Sequence, residues 1–190
     1  MAAFEEFYKQ GFQGGSLNHI VEKAGITKGA LFHHFSGKQQ LGYAVLDEVI
    51  GPLLEERWIA PITGSADPLA DLQNAFRRYV QQDLASGHYV QGCPLNNLAQ
   101  EMSPLDAGFR ARIDGLYDLW RKRLAAALSD GMRAGAVRRT AVPEQVAALV
   151  VASQMGIYGT AKSSQDKELT LQAAEALCGY LEALKPQPAV

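Results

Sequence analysis

The sequence predicts an all-α fold, on three observations. Every apolar segment repeats at 3.6 residues. No run alternates apolar and polar residues between turn signals as a strand ladder does. Helix-starting residues (Ser16, Thr27, Pro94) and helix-ending glycines (Gly11, Gly25, Gly135) bracket the periodic runs. About nine helices are expected on this periodicity.

The first helix is predicted around Ala3 to Gln10, with Phe4, Phe7 and Tyr8 on one face and Gly11 ending it. Two short helices follow. From Gly37 to Ile59 a longer one carries Leu41, Ala44, Val45, Val49 and Leu53 at core spacing, with a bend where Gly51-Pro52 removes a backbone bond. It reads as a connector, and Pro61 to Pro68 as the loop after it. Leu69, Leu72, Phe76, Tyr79 and Val80 mark a helix that stops near Gly87. Pro94 opens a short helix to Met102, where its missing N–H has no cost. Ser103-Pro104 breaks the chain, and a long helix then runs through Phe109, Ile113, Leu116, Trp120, Leu124 and Leu128 to about Ala134. Pro143 to about Lys162 is apolar nearly all round, as a helix buried on two sides is. Leu171, Ala174, Leu177, Leu181 and Leu184 line the last helix, before a Pro-rich tail.

Composition narrows the function. With 190 residues, 47% hydrophobic and 20% charged, the chain can bury a sizeable core. A net charge of −2 excludes bulk electrostatic attraction to nucleic acid, so any such contact has to be local. Residues 16 to 41 supply one candidate, with Lys23, Lys28 and Lys38 against Glu22 alone. Cys93 and Cys178 make no disulfide framework and no zinc spacing, which fits a reducing cytoplasm. The N-terminus carries no signal-peptide pattern, and the most apolar stretch, Val142 to Ala161, is too interrupted to span a membrane. No metal-ligand spacing, phosphate-binding Gly-rich loop or nucleophile with a base is present, so neither an enzyme nor a cofactor is expected.

Residues 16 to 35, SLNHIVEKAGITKGALFHHF, are the most informative stretch. Ser16 caps one helix that turns Ile20, Val21 and Ala24 inward, Gly25 makes the turn, and Ile26 plugs the angle. Thr27 caps a second helix, whose Leu31 and Phe35 pack inward and leave Lys28, Gly29, Phe32 and His33 outward. That outward set suits a DNA major groove, with Gly29 permitting close approach. A helical hairpin inside a bundle would share part of this pattern.

The capped pair, the Thr27-Lys28-Gly29 start, the run Leu31-Phe32-His33-His34-Phe35 and the following Lys38 resemble the DNA-binding domain of the TetR (tetracycline repressor, AcrR-type) family. The resemblance implies a helix-turn-helix domain over 1–36, a connector helix over 37–60, and a ligand-binding and dimerisation domain over 61–190. It implies a repressor that binds double-stranded operator DNA as a homodimer and is released by a small-molecule effector. Carried over by position, the DNA-contacting set is Ser16, Thr27, Lys28, Gly29, Phe32, His33, His34 and Lys38. Two departures stand out. Phe32 replaces the family's usual Tyr, losing a phenolic phosphate bond. The chain also begins partway into the family's first helix, lacking its first turn or two and the basic arm before it, which leaves open whether Met1 is the natural start.

Beyond residue 50 the resemblance thins to architecture, although Gly92 to Glu101 looks like a stretch found in a large subset of the family. An effector site needs apolar walls and a few polar groups. Phe76, Cys93, Asn97, Phe109, Tyr117, Trp120, Gln154 and Tyr158 fall on inward faces and are the candidates; each also fits ordinary core packing. The set holds no convergent Arg or Lys, which predicts a neutral or weakly polar organic ligand. The last two helices, the first of them rich in Ala, Ser and Gly, are the predicted dimer interface. A redox regulator using Cys93, ahead of a helix N-terminus, and a small helical enzyme are the alternatives.

Overall fold

The computed structural model describes residues 1–186, and among these nine helices are present and no strand. They are α1 (Ala2–Gly14), α2 (Leu17–Ala24), α3 (Lys28–His34), α4 (38–62), α5 (Pro68–Ser86), α6 (Pro94–Met102), α7 (Ala107–Ala134), α8 (Pro143–Ser164) and α9 (Lys167–Glu182). The chain forms two compact units, one of 1–53 with 94–116 and one of 54–93 with 117–186. No helix is long and apolar enough to cross a membrane.

The first unit is built around aromatic rings. Phe12 packs on Phe7 and on Phe109, with centroids 5.1 and 4.7 Å apart, and Tyr43 closes on Phe109 at 4.9 Å. Gly42 of α4 is what lets these rings approach, since a Cβ there would lie 2.5 Å from Phe12 and 2.6 Å from Phe109. Ile20, Val21, Leu31, Leu41 and Val45 complete the core. Gly11 interrupts α1 as expected, at φ 77, ψ 166, and a last turn follows the break.

The Gly51-Pro52 position takes a different form from the expected bend. α4 is α-helical at Lys38–Val45 and Gly51–Leu54, widened to π turns at Leu46–Ile50 and Glu55–Ile59, and tightened to a 3-10 turn at Ala60–Ile62. The Gly51 N–H bonds to the Leu46 carbonyl, five residues back. Pro52 offers no N–H and its ring crowds the carbonyl four residues earlier. Widening the preceding turn removes that clash without breaking the helix.

In the second unit α8 and α9 pack on α5. Val80, Leu84, Tyr89, Ala161 and Ala174 form one cluster, fastened where the Tyr89 hydroxyl donates to the Gln165 carbonyl at 3.1 Å. The buried Gln73 amide donates to the Cys178 carbonyl at 2.8 Å, tying α5 to α9. Ala174, Leu177, Leu181 and Leu184 are buried as expected, but Leu171 is 40% exposed and Thr170 takes the inward position instead. The inward face of α9 therefore runs through 170, 174, 177, 178 and 181. α8 buries Val146, Val150, Val151, Ile157 and Tyr158 but leaves Ala148, Leu149, Ala152, Gly156 and Gly159 exposed. Within this chain it is covered on one side, not two.

Candidate functional site

The helix-turn-helix of the first unit takes shape from short-range hydrogen bonds. The Ser16 hydroxyl accepts from the His19 N–H, and Gly25 turns the chain at φ 66, its N–H and that of Ile26 closing back on α2. Thr27 caps α3, its side-chain oxygen accepting from the Ala30 N–H at 3.1 Å. Leu31 is the buried residue of α3, and Phe35 is half-buried. Thr27, Lys28, Gly29, Phe32, His33 and His34 are all exposed, Phe32 at 50%; Ser16 and Lys38 are half-buried.

Two of the expected inward residues turn outward. Ala24 is exposed and Ile26 is 43% exposed, so Ile26 does not plug the angle between α2 and α3. Gly25 reverses the chain directly before Ile26 and carries it to the surface, while α3 turns Leu31 inward.

The floor of this face is held by carboxylates. The break at Gly11 frees backbone donors, and Glu101 of α6 accepts from the N–H groups of Phe12 at 2.8 Å and Gln13 at 2.7 Å. The Lys38 ammonium donates to the Gln13 carbonyl at 2.9 Å and sits 5.2 Å from the centroid of the Phe12 ring. Glu6 accepts from the Ser16 N–H at 2.8 Å, and Glu5 pairs with Lys23. Asp106 caps α7 through the Phe109 N–H at 2.8 Å and accepts from the Tyr43 hydroxyl of α4 at 2.7 Å and from the Gln39 amide. The Phe109 N–H, then the Tyr43 hydroxyl, lower the Asp106 pKa to about 2.

The second unit holds a connected polar and aromatic cluster. Asp83 of α5, 5% exposed, accepts from the Tyr158 hydroxyl at 2.6 Å and from the Arg57 guanidinium at 3.1 Å. Burial works against the Arg57 charge, but Asp83 outweighs it and holds the guanidinium above its ordinary value. Burial first, then the neighbouring Asp83 carboxylate, push the Tyr158 hydroxyl far upward, so it remains a protonated donor. Arg57 lies over the Tyr79 ring at 4.9 Å, and Trp58 packs on Tyr79, Phe76 and Trp120 at 5.6, 4.8 and 5.8 Å. Tyr117 lies one turn before Trp120 on α7, and its hydroxyl is pushed up by burial and then by the nearby Cys93 thiol.

Of the eight expected ligand residues, six fall in this unit: Phe76, Cys93, Tyr117, Trp120, Gln154 and Tyr158. Asn97 and Phe109 belong to the first unit, where Phe109 is core beneath Phe12 and Tyr43. The expectation that no Arg or Lys converges on the candidates is corrected by Arg57, although its charge is matched by Asp83. Sequence reasoning missed Arg57, Trp58, Asp83, Glu101 and Asp106. For Asp106 the signal was there, an Asp directly before an amphipathic run.

Residues 1–45 match the family described as bacterial regulatory proteins, tetR family, and residues 67–177 match the Tetracyclin repressor-like, C-terminal domain. The chain is similar to the HTH-type transcriptional repressor DhaR of Mycobacterium sp. (strain GP1), with 27% identity over 162 residues, 85% of this chain and 79% of DhaR. It is similar to the transcriptional regulator AcuR of Cereibacter sphaeroides, 28% identical over 149 residues, 77% of this chain and 66% of AcuR. A TetR-family regulator from Cytophaga hutchinsonii shares the fold with a TM-score of 0.85 at 18% identity, over 98% of this chain and 94% of that one. Regulatory protein TetR from Rhodobacter sphaeroides does so at 0.79 and 23%, over 94% of each chain. The chain therefore belongs to the TetR family of DNA-binding transcriptional regulators, which are not enzymes.

Proposed function

We propose that the chain is a cytoplasmic repressor that holds its operator as a homodimer and is released by a small neutral or weakly polar organic ligand bound in its second unit. The observation that carries the DNA reading is the exposed, Thr27-capped start of α3, where Lys28, Gly29, Phe32 and His33 share one face. Lys28 reaches a base edge or phosphate, Gly29 lets the helix end approach the duplex, and Phe32 meets thymine methyls. Lys38, already anchored on the Gln13 carbonyl, has further N–H donors for a phosphate. That a similar protein, DhaR, is described as a repressor supports repression over activation.

Dimerisation is supported by two exposed stripes of small residues. On α8 the residues Leu149, Ala152, Gly156, Gly159 and Ser163 recur at alternating steps of three and four, and on α9 Leu169, Gln172, Ala176 and Gly179 do the same. A Cβ built at Gly156, Gly159 or Gly179 meets nothing in the chain, so the close approach these residues permit is to another molecule. One recognition helix reads few base pairs, and a second copy supplies the specificity.

Selection of the protein on a random-sequence duplex library tests this reading. The expected product is an inverted repeat whose half-sites are centred about 34–36 Å apart. Enrichment of no sequence would overturn the regulator reading for this face.

A further inference from the structure

Among the described residues, the buried polar atoms of the second unit without a hydrogen-bond partner include the Tyr117 hydroxyl, Trp120 Nε1 and Gln154 Oε1. Trp120 is 1% exposed and Gln154 2%, so neither reaches bulk water. A buried polar group without a hydrogen bond is costly, and three in one cluster are not explained by packing. They belong to the same surroundings. Tyr117 and Trp120 occupy successive turns of α7 and Gln154 and Tyr158 successive turns of α8; Tyr158 bonds to Asp83, which also holds Arg57, and the neighbouring Trp58 ring packs on Trp120. The other strongly polar groups there already have partners, since Asp83 holds both Arg57 and Tyr158.

We infer that the effector is a neutral ring-containing molecule with a carbonyl-type acceptor beside an N–H or O–H donor, and that Trp120 Nε1 reads the acceptor and Gln154 Oε1 the donor. This rests on the reading of the second unit as an effector site and adds the chemistry of its occupant. Indole N–H can only donate and an amide oxygen can only accept, so each group admits one kind of ligand atom. The Tyr117 hydroxyl does either, and serves whichever function lies nearer. The Trp58, Phe76 and Trp120 rings, packed on one another, form the apolar wall beside these groups and favour an apolar ring over a charged frame. An anion finds Arg57 already neutralised by Asp83, and a cation would have to compete with Arg57 for the same carboxylate.

The test uses four small probes on the full chain: benzamide, neutral with donor and acceptor; acetophenone, acceptor only; ethylbenzene, neither; and benzoate, anionic. Calorimetric titration is expected to rank benzamide first, by tenfold or more over ethylbenzene and benzoate, with acetophenone between. Trp120→Phe and Gln154→Leu each lose about tenfold for benzamide, one hydrogen bond's worth, and leave ethylbenzene unchanged. Gln154→Leu also reports without any ligand, because replacing an unpartnered buried amide with a hydrocarbon of similar size leaves the melting temperature equal or higher. A lower melting temperature in Gln154→Leu would show that the amide has a structural partner and overturn the inference. So would equal binding of ethylbenzene and benzamide, tighter binding of benzoate, or no binding of any probe. These failures leave the DNA selection above untouched, whereas failure of that selection removes the regulator reading itself.

Discussion

The carboxylate of Glu101 accepts both the Phe12 and the Gln13 backbone N–H, at 2.8 and 2.7 Å, across 89 and 88 residues of chain. These donors exist because Gly11, at φ 77, breaks α1 one residue earlier. α6, which carries Glu101, enters the first unit directly after Cys93 of the second. The Glu101 carboxylate therefore fastens α6 to α1, the helix that packs on α2.

Glu101→Ala is accordingly expected to destabilise the chain by about 1–2 kcal/mol, with the two donors partly recovered by water. Glu101→Gln, which keeps one acceptor, lies between. Urea unfolding checks both values. Operator affinity should fall in the same order, because the Lys38 anchor on the Gln13 carbonyl shares the same backbone segment.

Asp106 ties α4 to the start of α7 as a carboxylate, and its pKa is held at about 2 against an ordinary 3.8. A depressed pKa means that its contribution is complete above about pH 4 and is lost as the pH falls toward 2. The expected outcome is an acid-unfolding curve that is shallower in Asp106→Asn than in the parent across pH 4 to 2, with the parent the more stable at pH 7. Identical slopes would mean that the Tyr43 and Phe109 hydrogen bonds do not favour the ionised form.

Much of this was legible in the sequence, and the gaps have physical causes. Ser16, Gly25, Thr27 and Pro94 act within a turn of themselves, and their roles follow from local chemistry. Asp83–Tyr158 and Glu101–Phe12 join residues 75 and 89 apart, and nothing local marks which partner a carboxylate will find. Phe109 shows a second limit. α7 runs 28 residues, its residues up to 116 belonging to the first unit and the rest to the second, so one apolar stripe serves two cores and periodicity does not say which. The π turns in α4 rotate its inward face onto Leu46, Ile50, Leu54, Trp58 and Ile62, one residue in every four, so Val49 and Leu53, expected in the core at a 3.6-residue period, are only half-buried.

Dimerisation is tested on the exposed stripes. Ala152→Glu and Ala176→Glu, both at exposed positions, are expected to fold normally and sediment as monomers at micromolar concentration, and to lose the two-half-site duplex. Leu177→Glu is not a fair test, because Leu177 is 7% exposed and a charge there disrupts the core of its own chain. Monomeric sedimentation of the unmodified protein would contradict the proposed interface.

Salt dependence separates two kinds of DNA contact. Lys38→Ala should flatten the slope of log affinity against log salt by about 0.9 per protomer, evenly across sequences, as loss of a phosphate contact does. Lys28→Ala should also relax the sequence preference at one base position of each half-site. An unchanged slope for Lys38→Ala would mean that its ammonium is wholly engaged by Gln13.

The most direct test of the DNA face is the affinity of Gly29→Ala for the selected duplex. A Cβ at Gly29 meets nothing nearer than the Thr27 hydroxyl at 3.8 Å, so the protein itself accepts it, and helix propensity favours Ala by up to about 1 kcal/mol. The account predicts a melting temperature equal to or above that of the parent, together with at least a tenfold loss of operator affinity, because the added methyl stands between α3 and the groove. A Gly29→Ala protein that melts as high and binds the duplex as tightly as the parent would contradict the claim that the start of α3 approaches DNA.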